Sequence, residues 1–255
     1  VKRVLSVPDD YTVLFLQGGA SMQFYMLALN LLHPGEQADY LVTGTWAQKA
    51  IKEAKRIGDA KAIWDDAPNN FKRVPKNGEY TVREGAVYLH YTSNNTIYGT
   101  EYHHQPDAQG HKLVADLSSD IAGVPVNIGA HELIYAGAQK NLGPSGVTLV
   151  MLSPWALERV PANLPAMLDY KIHAKDGSMY NTTNCVGIYV LDRVLAWMEA
   201  NGGSAAMIAK NQKKAGTLYA ELDRTGFWRP HAEKDSRSVM NVTWRLPSEE
   251  LEERF

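Results

Sequence analysis

The chain has 255 residues, 45% of them hydrophobic and 21% charged, with a formal net charge of −2. That is the composition of a water-soluble globular protein with one large domain, or one domain and part of a second. It excludes nucleic acid or an anionic membrane as an electrostatic partner, and no apolar run is long enough to cross a bilayer.

Tyr11–Gln17 is a short run of β-formers, broken by Gly18-Gly19 and followed by helical apolar spacing over Ser21–Leu32. The same alternation recurs. Asp39–Val42 reads as a strand, Gly44 as a turn, Trp46–Ile57 as a helix and Ala60–Trp64 as the next strand. Residues 65–85 are polar, carry Pro68, Pro75 and Gly78, and read as a surface excursion. Ala86–Tyr91, Lys112–Asp116, Glu132–Tyr135 and Val147–Leu152 are further strands. They are apolar nearly throughout, as strands covered on both faces are. The alternation predicts an α/β fold: a mainly parallel, mixed sheet with helices on both faces.

After residue 155 the character changes. Cys185, Ile188, Leu191, Val194, Leu195 and Met198 form the buried stripe of a long helix that ends at Gly202-Gly203. A second helix is expected over Ser204–Leu222, and a strand of another sheet over Ser238–Leu246. The expected division is a large domain over residues 1–195 and the start of a smaller α/β domain over 196–255. Both ends read as cut. Val1 opens without a methionine, and the chain closes in the first turns of a helix that Ser248 caps. The single cysteine rules out a disulfide framework and points to a reducing, cytoplasmic setting.

Four places carry candidate chemistry. Lys140 follows an apolar strand and precedes a Gly-Pro-Ser-Gly turn, at the kind of strand end where α/β sheets place ligands. A lysine there is either a solvated side chain or, with a lowered pKa, a nucleophile able to form a Schiff base. Asp116 ends a strand; it is either a turn cap or an acid that holds a pyridine nitrogen protonated. Trp46 is core or a stacking face. Gly18-Gly19-Ala20-Ser21 opens a helix, where amides and a hydroxyl can cradle a phosphate. The adjacent His103-His104 pair points to opposite sides of a strand with no carboxylate spaced to join it, so a metal site is not expected. Asn94-Asn95-Thr96, Asn181-Thr182-Thr183 and Asn241-Val242-Thr243 fit the glycosylation pattern, which carries no meaning in a cytosolic protein.

The segments Leu16–Phe24, Thr43–Trp46, Asn94–Thr100, Ala115–Ser119, Ala136–Asn141 and Met179–Thr182, in that order and spacing, resemble the successive signatures of the phosphoserine aminotransferase family. These are class V aminotransferases of PLP fold type I. The resemblance implies pyridoxal 5′-phosphate (PLP) as cofactor, joined to Lys140 as a Schiff base, with Lys140 also moving the substrate proton. It implies Asp116 at the pyridine nitrogen, Trp46 against the ring face and Thr96 donating to the ring 3′-oxygen. Ala20, Ser21 and Gln139 would bind the cofactor phosphate. Asn181 and Thr182 would reach the phosphate of the partner subunit, in a homodimer with shared sites. The implied reaction passes the amino group of glutamate to 3-phosphohydroxypyruvate, in serine biosynthesis and, in many bacteria, in pyridoxine synthesis.

The family's substrate-binding His-Arg pair and carboxylate-binding Arg have no counterpart in these residues. The expectation is therefore a complete cofactor site, an incomplete substrate site, and little turnover from this stretch alone. Competing readings are another class V aminotransferase, an inactive fragment that retains the cofactor site, and a cysteine desulfurase. A desulfurase needs an exposed thiol, and Cys185 on an apolar stripe reads as buried.

Overall fold

The computed structural model describes all residues from Val1 to Phe255. Its strands are β1 (Thr12–Leu16), β2 (Gln37–Val42), β3 (Asp59–Asp65), β4 (Ala86–Thr92), β5 (Asn94–Asn95), β6 (Thr100–Glu101), β7 (Lys112–Asp116), β8 (Leu133–Gly137), β9 (Thr148–Leu152), β10 (Arg229–Pro230) and β11 (Trp244–Arg245). The helices are α1 (Lys2–Leu5), α2 (Gly19–Leu31), α3 (Thr45–Ala54), α4 (Pro154–Arg159), α5 (Tyr170–Lys175), α6 (Cys185–Ala200), α7 (Gly203–Thr225) and α8 (Glu249–Arg254). None is long and apolar enough to cross a membrane.

Seven strands form the main sheet in the order β1-β9-β8-β7-β4-β2-β3. The pairs among β8, β7, β4, β2 and β3 are parallel, and β9 pairs antiparallel with both β8 and β1. The mixed, mainly parallel α/β sheet anticipated from the sequence is present. Successive side chains of each strand go to opposite faces. Tyr40, Tyr88, Val114, Leu133 and Val150 join Phe24, Leu27 and Leu31 of α2 in one core. Leu41, Leu89, Leu113, Ile134 and Leu149 join Leu191, Leu195 and Met198 of α6 in the other. With both faces covered, nearly every central strand residue is apolar and buried.

Asp39 is an exception. It is fully buried in β2 and is neutralised by Arg83, whose Nε lies 2.6 Å from Oδ1 while the Arg83 backbone N–H donates to Oδ2 at 2.7 Å. A lone buried carboxylate would be costly, so the polar stretch before β4 does more than wander over the surface. It delivers the counter-charge to a central strand.

Two features differ from the sequence reading. Cys185 is exposed. It is the first residue of α6, beside the capping Asn184, whose side chain accepts from Gly187 N–H at 2.9 Å. The buried stripe begins two residues later and runs through Gly187, Leu191, Leu195 and Met198. The expected strand over Ser238–Leu246 shrinks to Trp244–Arg245, paired with Arg229–Pro230. Residues 238–243 instead spend their polar groups on the loop after β4. Ser248 does cap the last helix, accepting from Leu251 N–H.

Candidate active site

Every candidate segment of the large sheet leaves the carboxyl end of a parallel strand or of β1. This is where open α/β sheets bind ligands, because connections diverge there and leave a crevice. A cavity of about 170 Å³ opens there, lined by Gly19, Ala20, Ser21, Phe24, Trp46 and Thr92, and by Asn94, Asp116, Ser118, Ser119, Gln139 and Lys140.

Asp116 is the last residue of β7 and only 3% exposed. Its Oδ1 accepts the backbone N–H of Ser118 at 2.9 Å. Burial pushes its pKa up, opposed by Ser118 and by the charge of Lys140. No arginine or lysine forms a salt bridge with it. Ser118 also accepts the Gly137 N–H through its hydroxyl, at 3.0 Å, which joins the end of β7 to the end of β8. The Gln139 amide folds back over Gly137, where a Cβ would lie 2.4 Å from its Oε1, so a side chain there would displace Gln139 from this pose.

Lys140 lies three residues beyond β8. Its amine is partly desolvated, which pushes its pKa down, while Asp116 and Asp120 oppose the shift. The Nζ donates to Thr96 Oγ1 at 3.2 Å, and Trp46 Nε1 donates to the same oxygen at 3.1 Å. Both lone pairs of the Thr96 hydroxyl are thereby engaged, and its own proton is left to donate elsewhere. The Nζ stands 5.8 Å from the Trp46 ring centre. At the opposite wall, Gly18 and Gly19 adopt φ of +84° and +63°. The turn aims the first residues of α2 at the cavity. Their amides have no intrahelical acceptor.

The aminotransferase class-V profile matches residues 1–253. The chain belongs to that family. Among curated relatives, the phosphoserine aminotransferase of Desulfotalea psychrophila is 51% identical over 255 residues, covering 100% of this chain and 70% of the relative. The solved phosphoserine aminotransferase of Bacillus circulans subsp. alkalophilus superposes with a TM-score of 0.96 at 45% identity, over 99% of this chain and 70% of that one. The PLP-bound phosphoserine aminotransferase of Trichomonas vaginalis gives 0.89 at 33% identity, over 96% and 69%.

Within this class-V aminotransferase the structure gathers seven of the nine residues singled out from the sequence. Ala20, Ser21, Trp46, Asp116, Gln139 and Lys140 line one cavity, and Thr96 bonds to two of them. Asn181 and Thr182 do not line it. They sit beside the β1–α2 turn, where Gln17 Nε2 donates to the Thr182 carbonyl at 3.1 Å. The cavity also takes in Phe24, Thr92, Asn94, Ser118 and Ser119, to which the sequence reading gave no role. Thr92 is the cross-strand partner of Asp116, and its buried hydroxyl has no hydrogen-bond partner. Only the strand order reveals that pairing.

Two further corrections concern discarded candidates. His103 does have a carboxylate neighbour: its Nδ1 lies 3.5 Å from Oε1 of Glu101, two residues earlier on the same side of the chain. No group of three or more potential ligands assembles there. The desulfurase argument from a buried thiol fails because Cys185 is exposed. The thiol is instead set apart by position, since it lies beside Thr183 and does not line the cavity.

Proposed function

We propose that the protein transfers the amino group of glutamate to 3-phosphohydroxypyruvate, with PLP held on Lys140. The pairing of an amine on one wall with an uncompensated buried acid on another carries this reading. The relatives named phosphoserine aminotransferase, at up to 51% identity over the whole chain, support the choice of substrates.

The residues present fit the cofactor. Asp116 is a buried carboxylate without a cation, and a protonated pyridine nitrogen supplies one. The first turn of α2 offers free amides and the Ser21 hydroxyl to a phosphate. Gln139 stands next to the lysine. Trp46 offers an aromatic face, and the free proton of Thr96 suits a phenolic oxygen. Bound there, PLP acts as an electron sink that makes the α-hydrogen of an amino acid acidic.

The chain's own groups do the rest. Desolvation keeps a larger share of the Lys140 amine neutral, so it can attack a carbonyl carbon and later carry the proton from the substrate α-carbon. Asp116 holds the ring nitrogen charged. Thr96 and Trp46 fix where the lysine and the ring meet. Asn181 and Thr182 stand clear of their own cavity, which suits groups that serve the partner subunit in a homodimer. The setting is cytoplasmic, since the exposed thiol of Cys185 calls for a reducing compartment.

The deciding experiment is borohydride reduction in the presence of PLP followed by peptide mapping, with glutamate-dependent conversion of 3-phosphohydroxypyruvate assayed alongside. Label on Lys140 is expected, with turnover read on a chain extended to the length of its relatives, of which this one covers 70%. Label on another lysine, or turnover with unrelated oxo acids only, refutes the reading.

A further inference from the structure

Two of the glycosylation-like triplets turn out to interlock. Asn94 Nδ2 donates to Asn241 Oδ1 at 2.9 Å, and Asn241 Nδ2 donates to the Thr96 carbonyl at 2.8 Å. Ser238 Oγ stands 3.1 Å from both the same Asn241 Oδ1 and Glu101 Oε2 and donates its one proton to one of them. Next along the chain, Thr243 Oγ1 donates to the Tyr98 carbonyl at 2.8 Å. It stands so close to Gly99 that a Cβ there would come within 2.4 Å of it. Ser238 N–H donates to the Gly99 carbonyl at 2.9 Å, and Val239 N–H to buried Glu101 at 2.9 Å. The segment 238–243 thus grips the loop 94–101 along its length, from about 145 residues away in sequence.

The loop it grips holds Thr96. That residue is fixed from two sides: its hydroxyl by Trp46 and Lys140 inside the cavity, and its carbonyl by Asn241 outside. We propose that Asn241 is a positioning residue of the cofactor site, setting the Thr96 hydroxyl against Lys140 so that the site's geometry follows the docking of residues 238–243. Asn241 touches neither cofactor nor substrate in this assignment and acts through Thr96. The inference rests on the proposed cofactor role of Lys140 and Thr96. It goes beyond that role by making a segment remote from the cavity part of the catalytic geometry.

The test compares wild type with Asn241→Ala and with Thr243→Val, which removes the neighbouring hydroxyl at nearly constant shape. In cofactor-free protein, Lys140 is pulse-labelled with an amine-acylating reagent and read by mass spectrometry. Loosening Thr96 removes an acceptor from the ammonium and favours the neutral amine, so labelling at neutral pH should be about threefold faster, the worth of one net hydrogen bond. Asp116 and Asp120, the charges acting on Lys140, are untouched by either variant. With PLP bound, the absorbance titration of the lysine-bound cofactor should shift to higher pH, because a donor to the ring oxygen favours the deprotonated form. The PLP dissociation constant should rise about tenfold. Thr243→Val should move all three in the same direction by less.

Wild-type labelling and titration in Asn241→Ala, with only the melting temperature lowered, would mean a purely structural residue and overturn the proposal. If Asn241→Ala does not fold, Thr243→Val decides: values identical to wild type overturn it. If wild type takes up no PLP, the functional reading falls, and the labelling rates of the cofactor-free proteins still decide this one.

Discussion

Asp120 should carry a proton at neutral pH, and replacing it should then change how stability depends on pH. The residue is fully buried just beyond β7. Ser93 Oγ lies 2.7 Å from its Oδ1 and 2.9 Å from the Asp116 carbonyl oxygen. A hydroxyl has one proton and cannot serve two acceptors. A protonated Asp120 resolves the conflict by donating to Ser93, which then donates to the carbonyl. Burial, reinforced by Glu101 and Asp116, agrees, pushing the Asp120 pKa from 3.8 up to about 8.

An acid whose pKa is raised by folding binds its proton more tightly in the folded state. The stability that proton confers is complete below the unfolded pKa of 3.8 and is lost as pH rises to about 8. The slope is about 1.4 kcal/mol per pH unit, so wild type loses roughly 3 kcal/mol from this group between pH 5 and 7. Buried His90 and His131, with pKa values lowered to about 3 and about 4, run the other way and gain stability as pH rises toward 6.5. They partly mask the slope in wild type but are common to both proteins.

The readout is therefore a difference. Urea unfolding of cofactor-free wild type and Asp120→Asn at pH 5, 6 and 7 should show the variant gaining roughly 3 kcal/mol on wild type across the range. A difference that stays constant within about 0.5 kcal/mol would refute the protonated acid.

In a chain extended to the length of its relatives, Asp116→Asn should lower turnover by about two to three orders of magnitude, since it removes a preorganised charge; steady-state rates near wild type would contradict its role. Trp46→Phe keeps an aromatic face but frees Thr96, and should weaken PLP binding about tenfold in an absorbance titration; unchanged binding would show that the indole N–H is idle. Tyr170→Phe deprives buried Gln23 Oε1 of its 2.6 Å partner and should cost about 1–3 kcal/mol in urea unfolding; a neutral result would mean that another donor reaches the amide. Mixing Lys140→Ala subunits with Asn181→Ala/Thr182→Ala subunits should restore part of the activity, because one site of each mixed dimer carries neither lesion. Proven heterodimers without recovery would place the whole phosphate cup within one chain.

The strands were legible because a sheet covered on both faces leaves short apolar runs between glycines. Lys140, Asp116 and the glycine turn were legible because each sits where such a run stops. Neighbours across the sheet were not. Thr92 faces Asp116 only because β4 lies next to β7, and a single strand does not record its partners. The same holds for the polar stack inside the α2-side core, where His90 Nε2 meets Tyr135 Oη at 2.9 Å and Tyr40 Oη meets Tyr88 Oη at 2.9 Å. Cys185 misled because the apolar spacing placed it on the buried stripe, while in the first turn of α6 the buried position is Gly187 and Cys185 faces solvent. Residues 238–243 carry the valines and threonine of a strand, yet their polar side chains are consumed by a loop rather than a ladder.

The antiparallel insertion of β9 between β8 and β1 sets an order on synthesis. Leu16 of β1 pairs with Thr148, and β1 has no other neighbour in the sheet. As the chain leaves the ribosome, the apolar stretch TVLFL emerges well before β9, the strand it pairs with. At roughly 5–20 residues per second that interval lasts about 7–30 s. Throughout it an unpaired, sticky edge is exposed to other nascent chains. β1 is therefore secured only after most of the sheet's other strands have emerged, and a chaperone that shields short apolar segments has a clear target there.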